Sequence, residues 1–554
     1  MKMKVETDIL IVGGGLAAIK AAYECMKSSL NITIAVKSKL CSGSSFSPYT
    51  SSLGCQCPLD NDADTDYFLD EINSAGYGMN DEALSKILIS EIWYRARELE
   101  QIGIDYKVLE VKRPACFSKR PRYLLDWGDW GRIRNNMYGI LEENTNVKLV
   151  EDTEVIYLVK ESGRIRGAIA VDGNGKLMYI QAGAVILATG GLGDIYKHSF
   201  NSCEASGDGY ILALDAGAKL VNMEFIQFIP GFTKPVYKTI FGEHTLVYCS
   251  HVTDQYGNDI LEKYLPHGTS SRQCIDERSK HGPFTTDDIS RYFDLALMKE
   301  ILKSDSENGF RLQYDKKILE DKSDMMDIYV RWLKDEKKID ITKDEICIIP
   351  FAHAGNGGVL IDESCSTGID GLFVAGENAG GIHGANRLGG NSTGSCLVFG
   401  KRAADSAVRQ INSSCCCHAN SIDLFDLISK KFDSGVKKSI SPEYVISEIQ
   451  NIMWRSANVI RNETSLKSAI DRVSNLNKSY NAFLFFSDPV HIKQAVKAKH
   501  FIELSTLLLN AMIIRKESRG PHYREDFPEI NEAEFRKRIN IQKLSDGGIL
   551  YDFE

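Results

Sequence analysis

The stretch DILIVGGGLAAIKAAYECMKS, residues 8–28, decides the fold. An unbroken apolar run enters three glycines, which reads as a strand buried on both faces leading into a tight turn. The residues after it form a helix rich in small side chains, and ITIAVKS, residues 32–38, reads as a second buried strand. Strand, turn, helix and strand in succession predict a parallel sheet with helices on its faces. Gly13, Gly15 and Ala18 fit the spacing G-x-G-x-x-G/A in the context that gives this weak motif meaning. Glycine there lets the backbone approach a pyrophosphate, which sits on the positive end of the helix dipole. The end of the second strand normally carries an acid that holds a ribose. Here that place is taken by Lys37 or Ser38.

Further stretches repeat the pattern. AVILATGG (184–191) puts Ala188, Thr189 and Gly190 behind another buried strand. GLFVAGE (371–377) ends in Glu377, whose carboxylate suits a ribityl hydroxyl, and GDG (207–209) sets Asp208 between two glycines. Such elements, spread widely along the chain, predict a long ligand lying across one sheet. FAD fits that better than NAD. The glycine-rich GGIHGANRLGGNSTGS (380–395) follows, carrying Arg387.

The chain has 554 residues, 43% hydrophobic and 25% charged, with a formal net charge of -9. That length predicts two or three domains. The acidic balance argues against nucleic acid or an anionic membrane as the main partner. No apolar run reaches the roughly 18–20 residues of a membrane helix, so no membrane insertion is expected. The N-terminus enters a strand at once, leaving no room for a signal peptide, so a cytoplasmic setting with reduced thiols is expected despite 14 cysteines. Residues 80–104 and 131–145 read as amphipathic helices and 156–191 as a β-meander. Residues 230–345 are more charged and less regular, and the chain turns helical beyond about 422. The expected architecture is α/β. A discontinuous Rossmann-like FAD-binding domain covers 1–229 and 346–421, with an inserted α+β capping domain over 230–345. A C-terminal helical domain and tail cover 422–554, with the polar NSSCCCHAN (412–420) as a linker.

Along almost its whole length the chain resembles the fumarate reductase / succinate dehydrogenase flavoprotein family, which includes L-aspartate oxidase. The residues that carry this are VGGGLAA, ILATGGLG, SGDGYILALDAGAKLVNMEFIQF, HAGNGGVLID, LFVAGENAGGIHGANRLGGNS, IMWRSANVIR and RKESRGPHYREDFPE, in that order. The resemblance implies hydride transfer between flavin N5 and a carbon next to a carboxylate, and an iron–sulfur or other electron-transfer partner as an alternative role. Arg387 is the candidate to fork a substrate carboxylate, with His353 as a second donor and Gln227 beside them. The cofactor contacts it implies are Gly13, Gly15, Ala18, Ser38, Lys39, Ser44, Ser45, Val155, Ala188, Thr189, Gly190, Asp208, Glu377, Asn391 and Ser392.

Departures from the family pattern bear on the substrate. Where dicarboxylate enzymes of the family carry a histidine before proline, QFIPG places Ile229, an apolar wall in place of a donor to the second carboxylate, and the expected substrate is a small carboxylate or amino acid altered from the family's. An ungapped count sets Glu243, after Gly242, at the family's glutamate. For the proton-donor arginine the candidates are Arg272 and, by another alignment, His267, with Arg278 as a third. The loop CSGSSFSPYTSSLGCQCP (41–58) has serine where the respiratory members carry a flavin-linking histidine, which implies noncovalent FAD. Cys41, Cys55, Cys57 and the CCCH run at 415–418 lack metal-site spacing, so no metal is expected. No run of ferredoxin type occurs. Trp127 and Trp130 read as packing residues.

Overall fold

The computed structural model describes residues 3–46, 54–59, 62–103, 105–110, 114–127, 130–304, 307–413 and 423–554. The parallel unit foreseen from residues 8–38 is its centre. Strand Met3–Val12 lies between Ile32–Ala35 and Leu177–Leu187, all parallel. Val147–Val150 extends one edge, and the distant Leu372–Val374 pairs with the end of Leu177–Leu187. Glu154–Glu161, Arg164–Val171 and Leu177–Leu187 form the antiparallel meander. Helices Leu16–Cys25 and Asn391–Ser413 pack on each other and against the sheet. Ile9, Leu10 and Ile11 are therefore fully buried, as a run of apolar residues without polar alternation requires.

The helix expected over 80–104 spans Glu82–Arg97, opened by the Asp81 carboxylate accepting from the Ala83 and Leu84 amides. It tightens to a 3-10 turn over Glu98–Ile102 and stops at Gly103, whose φ is 69°. The second expected helix spans Trp130–Glu143.

An antiparallel sheet stands beside the first, in the order Thr239–Ile240, Ile226–Lys234, Ile346–Gly355, Phe310–Tyr314, Cys249–Thr253. Helices Ser271–Arg278, Arg291–Ser304 and Asp324–Asp335 accompany it. Its two long strands pair with two irregularities, one between Phe232 and Lys234 and one where Gln227 faces Ala354 but Phe228 faces Ala352. His353 is the extra residue, on a β-bulge that re-aims its side chain.

Three C-terminal helices, Pro442–Ser456, Glu463–Lys478 and Ile492–Ile514, pack together. The end of the chain is not helical. Ile539–Lys543 and Ile549–Phe553 make a hairpin that pairs with Leu220–Val221. The cysteine run at 415–417 and most of the linker lie outside the described residues. Among the described residues no helix is long and apolar enough to cross a membrane.

The stretch RKESRGPHYREDFPE accounts for how this end is held. Arg515 Nε lies 2.7 Å from Glu224 Oε1, and Arg515 and Arg519 each lie 2.8 Å from Glu517 Oε1. Arg461 donates to the Glu224 carbonyl (2.9 Å) and to His522 Nδ1 (2.6 Å). The side chains of Arg515, Arg519, Glu224 and Glu517 have no solvent exposure, so each charge depends on its partner. Replacing Arg515→Ala strands the Glu224 carboxylate. The expected cost is about 3–5 kcal/mol, read as a lower denaturant midpoint with an unchanged slope.

Candidate active site

Strands Met3–Val12, Leu177–Leu187 and Leu372–Val374 end side by side, and a long cleft opens at their carboxyl ends. Gly13 has φ 125°, and a Cβ there would stand 2.2 Å from the Ala188 carbonyl oxygen. Only glycine lets these two strand ends lie so close. Gly15 caps the helix Leu16–Cys25 with no side-chain bond to the free amides. Where a Cβ would stand on Gly15 or Gly190 there is open space to 4 Å. Free helix-end amides beside backbone without side chains, with the hydroxyls of Ser44, Ser45, Thr189 and Ser392 on the same wall, fit the phosphates of a dinucleotide.

Further along the wall sits a buried ionic cluster. Lys37 Nζ lies 2.9 Å from Asp208 Oδ2 and 3.0 Å from both Glu154 Oε1 and Ser206 Oγ. The other Asp208 oxygen faces His500 Nδ1 at 2.8 Å. Burial opposes the charge on Asp208, but Lys37 and the His500 bond outweigh it and hold the carboxyl well below its ordinary range.

At the opposite end are Arg387 and His353, both on the cleft wall. Arg387 Nη2 lies 3.3 Å from Gln227 Oε1 and 3.3 Å from His353 Nε2, and Nη1 lies 3.4 Å from the Leu388 carbonyl. Its Nε has no hydrogen-bond partner. Every hydrogen-bond partner of Arg387 among the described residues is therefore neutral. Burial lowers its pKa, and the Glu377 carboxylate, acting through space, partly offsets that. Gln227 is fully buried behind Arg387, with Nε2 donating to Asn386 Oδ1 at 2.6 Å. Burial and the adjacent guanidinium push the His353 imidazole down to about 3, so it is neutral in the physiological range. Because Nε2 accepts from Arg387, the ring proton lies on Nδ1. Glu377 Oε1 accepts from the Gly355 amide at 3.1 Å.

The cleft brings together most of the residues named from sequence. Gly13, Gly15, Ser44, Ser45, Val155, Ala188, Thr189, Gly190, Asp208, Glu377 and Ser392 line it with His353 and Arg387. Ala18 lies in the core beneath, Asn391 is buried at the start of its helix, and Lys39 turns its carbonyl toward Gly14. Ser38 meets Glu204 at the far end. Glu243 lies 3.8 Å from Cys116 Sγ, and the Gly282 amide meets the same sulfur at 3.3 Å. Arg272 is not brought to the cleft. Its half-exposed side chain pairs with Asp276 and caps the Cys249 and Val247 carbonyls, and His267 is exposed. Arg278 is the buried arginine of that helix. It binds Asp294 at 2.6 Å and the carbonyls of His281 and Gly282, fixing the turn that meets Cys116. Trp127 packs edge-on to Tyr106.

Sequence reasoning missed Cys116, Glu204 and His500. None stands in a recognisable motif, and each reaches its neighbours across a long sequence separation.

Known proteins resemble this chain along most of its length. Residues 8–393 match the family model described as an FAD binding domain, and 446–550 match that of the fumarate reductase flavoprotein C-terminus. The chain is 30% identical to an uncharacterized FAD-dependent oxidoreductase of Methanocaldococcus jannaschii, over 97% of this chain and 96% of that protein. It is 29% identical to a fumarate reductase (CoM/CoB) subunit of Methanothermobacter marburgensis, over 97% of each. Among solved structures, Mycobacterium smegmatis Sdh1 in complex with UQ1 shares the fold, with a TM-score of 0.82 at 24% identity. That match covers 100% of this chain and 94% of the other. The chain belongs to the fumarate reductase / succinate dehydrogenase flavoprotein family and is an FAD-dependent oxidoreductase.

The histidines of the site make its stability depend on pH. Burial and Arg387 also push His383 down to about 3, and burial and Arg278 push His281 to about 4. Each stays neutral in the fold but takes a proton in the unfolded chain below its ordinary value of 6.5. Their stabilisation is therefore complete above pH 6.5 and is lost as pH falls toward 3–4, by up to about 1.4 kcal/mol per histidine per pH unit. Melting temperatures measured from neutral pH downward should start to fall near 6.5. A flat profile to about pH 4.5 contradicts the burial of neutral imidazoles.

Proposed function

We propose that this member of the fumarate reductase flavoprotein family moves a hydride between FAD and a carbon of a small carboxylate or amino acid. One observation carries the reading: Arg387 presents a cation to the cleft while all its described hydrogen-bond partners are neutral. A buried guanidinium without an ionic partner is costly, and an anionic substrate would relieve that cost. When bound, FAD supplies a two-electron donor or acceptor at N5 of its ring. Arg387 forks the substrate carboxylate, and Gln227 holds the guanidinium in plane from behind. His353, neutral and carrying its proton on Nδ1, serves as a hydrogen-bond donor and not as a charge. The bulge that turns it to the cleft is part of that positioning. Fixing the carboxylate at two points orients the neighbouring carbon, which is the main demand of hydride transfer. Ile229, 6% exposed and buried among apolar residues, offers no bond to a second carboxylate, which favours a monocarboxylate or amino acid.

With no histidine anywhere in residues 41–58, the flavin is held without a histidyl bond from that loop. A second reading, a flavoprotein that passes electrons to an iron–sulfur partner, rests on the Methanothermobacter relative, whose name makes it one subunit of a fumarate reductase. Co-purification of an iron–sulfur protein with the native chain decides for it.

Anaerobic bleaching and reoxidation of the flavin should be scored against amino acids, succinate, unsaturated acids and their neutral amides. Acids should react and the amides should not. Equal reaction of an amide removes Arg387 from substrate binding. Arg387→Ala should lower kcat/KM by about 100-fold or more while the protein stays yellow. Acid precipitation should release the flavin into the supernatant, and a yellow pellet contradicts noncovalent binding.

A further inference from the structure

We propose that Glu204 binds the ribose hydroxyls of the FAD adenosine, replacing the acid that the end of the second strand lacks. In a sheet of this kind the ribose lies at the tip of that strand. Here the strand ends at Ala35 and continues through Val36 and Lys37 to Ser38, with no carboxylate. Lys37 also engages the two acids nearest it. Asp208 is bound to Lys37 through one oxygen and to His500 through the other, and Glu154 pairs with the same amine. Asp208 thus has both oxygens bonded, and Glu154 is turned to the same amine with only 3% exposure.

Glu204 arrives from another element, the loop before helix Asp208–Ala216, and it lines the cleft. One carboxylate oxygen accepts from the Ser38 hydroxyl, and the other accepts from Ser42 Oγ at 2.8 Å. Its carboxylate therefore stands over the residue that occupies the ribose position. The loop is anchored there: the Ser202 amide and Asn201 Nδ2 both donate to Ser44 Oγ at 3.2 Å, and the Lys238 amine donates to the Asn201 carbonyl. The chemistry matches the ligand. A ribose presents two adjacent hydroxyl donors, and a carboxylate offers about four acceptor sites, of which the serines use two. The three groups can thus close around a diol without losing the Ser38 and Ser42 bonds.

The test uses apoprotein and reads cofactor affinity, not turnover. FAD binding is followed by flavin fluorescence for the wild type and for Glu204→Gln, which keeps the size and removes the charge. A second probe is FAD whose adenosine ribose lacks its 2′-hydroxyl. Melting temperatures of both apoproteins report folding. The expected result is FAD binding weakened about tenfold or more in Glu204→Gln, with an unchanged apoprotein melting temperature. Wild type should bind the deoxy analogue correspondingly weakly, and the variant should barely distinguish the two flavins. The proposal is overturned if Glu204→Gln binds FAD as tightly as wild type, or if wild type binds the analogue as tightly as FAD. It is overturned equally if the loss of affinity comes with a matching fall in apoprotein melting temperature. Failure of substrate turnover would leave these binding results untouched, so this proposal and the carboxylate reading stand or fall separately.

Discussion

The site exists because three parallel strands stop together with almost no side chain between them. Val12, Leu187 and Val374 are the last residues of their strands, and the Ala188 amide donates to the Val12 carbonyl just past the end. Gly13 must then pass the Ala188 carbonyl at a distance that no Cβ tolerates. From that crossing the chain fans out: one branch enters the uncapped helix, another enters Thr189–Gly191, and the third enters Glu377. The same economy recurs at Gly191, where a Cβ would stand 2.3 Å from Glu377 Oε1. Close approach, not flexibility, is what these glycines provide.

The cleft separates two electrostatic regimes. At the dinucleotide end Lys37 faces both Asp208 and Glu154, Glu204 is held by serine hydroxyls, and the Asp208 carboxyl stays ionised because a cation and an imidazole face it. At the Arg387 end a guanidinium is surrounded by neutral acceptors, and the imidazoles of His353 and His383 are kept uncharged beside it. A substrate that comes and goes suits a charge left uncompensated, because its arrival then contributes binding energy. The cost of that cation is carried by rigid polar support from Gln227, Asn386 and the Leu388 carbonyl.

What could be read from the sequence follows this division. Glycines at forced close approaches leave a local trace, so Gly13, Gly15 and Gly190 were legible, as was Arg387 in its glycine-rich setting. The His353 bulge was not, because it arises from the register between two strands separated in sequence by the other three strands of their own sheet. Gln227 reads as a substrate contact yet is spent on Arg387, since strand alternation points it behind the guanidinium. Arg272 and Arg278 show the limit of reading charge alone. Six residues on one helix set them about 240° apart, so one faces solvent and Asp276 while the other faces the core and Asp294. Sequence places both arginines near the right segment, and only the helix phase says which one turns inward.

The C-terminal helices take part in this geometry from behind. His500, on the helix Ile492–Ile514, reaches Asp208 at the head of another helix and so sets the oxygen that Lys37 must use. Arg515 and Arg461 hold Glu224 by its carboxylate and its carbonyl, just before Phe225 leads into the strand Ile226–Lys234. Gln227 is the second residue of that strand, and its amide is what keeps Arg387 aimed at the cleft. The origin of the strand is thus fixed by fully buried charges, which tolerate no displacement without leaving a charge unpaired. The buried ionic anchor at Glu224 stands three residues from Gln227, which shares the support of Arg387 with His353 and the Leu388 carbonyl. The arginine-rich stretch near the end of the chain, remote from the cleft in sequence, is thereby tied to the strand that carries Gln227.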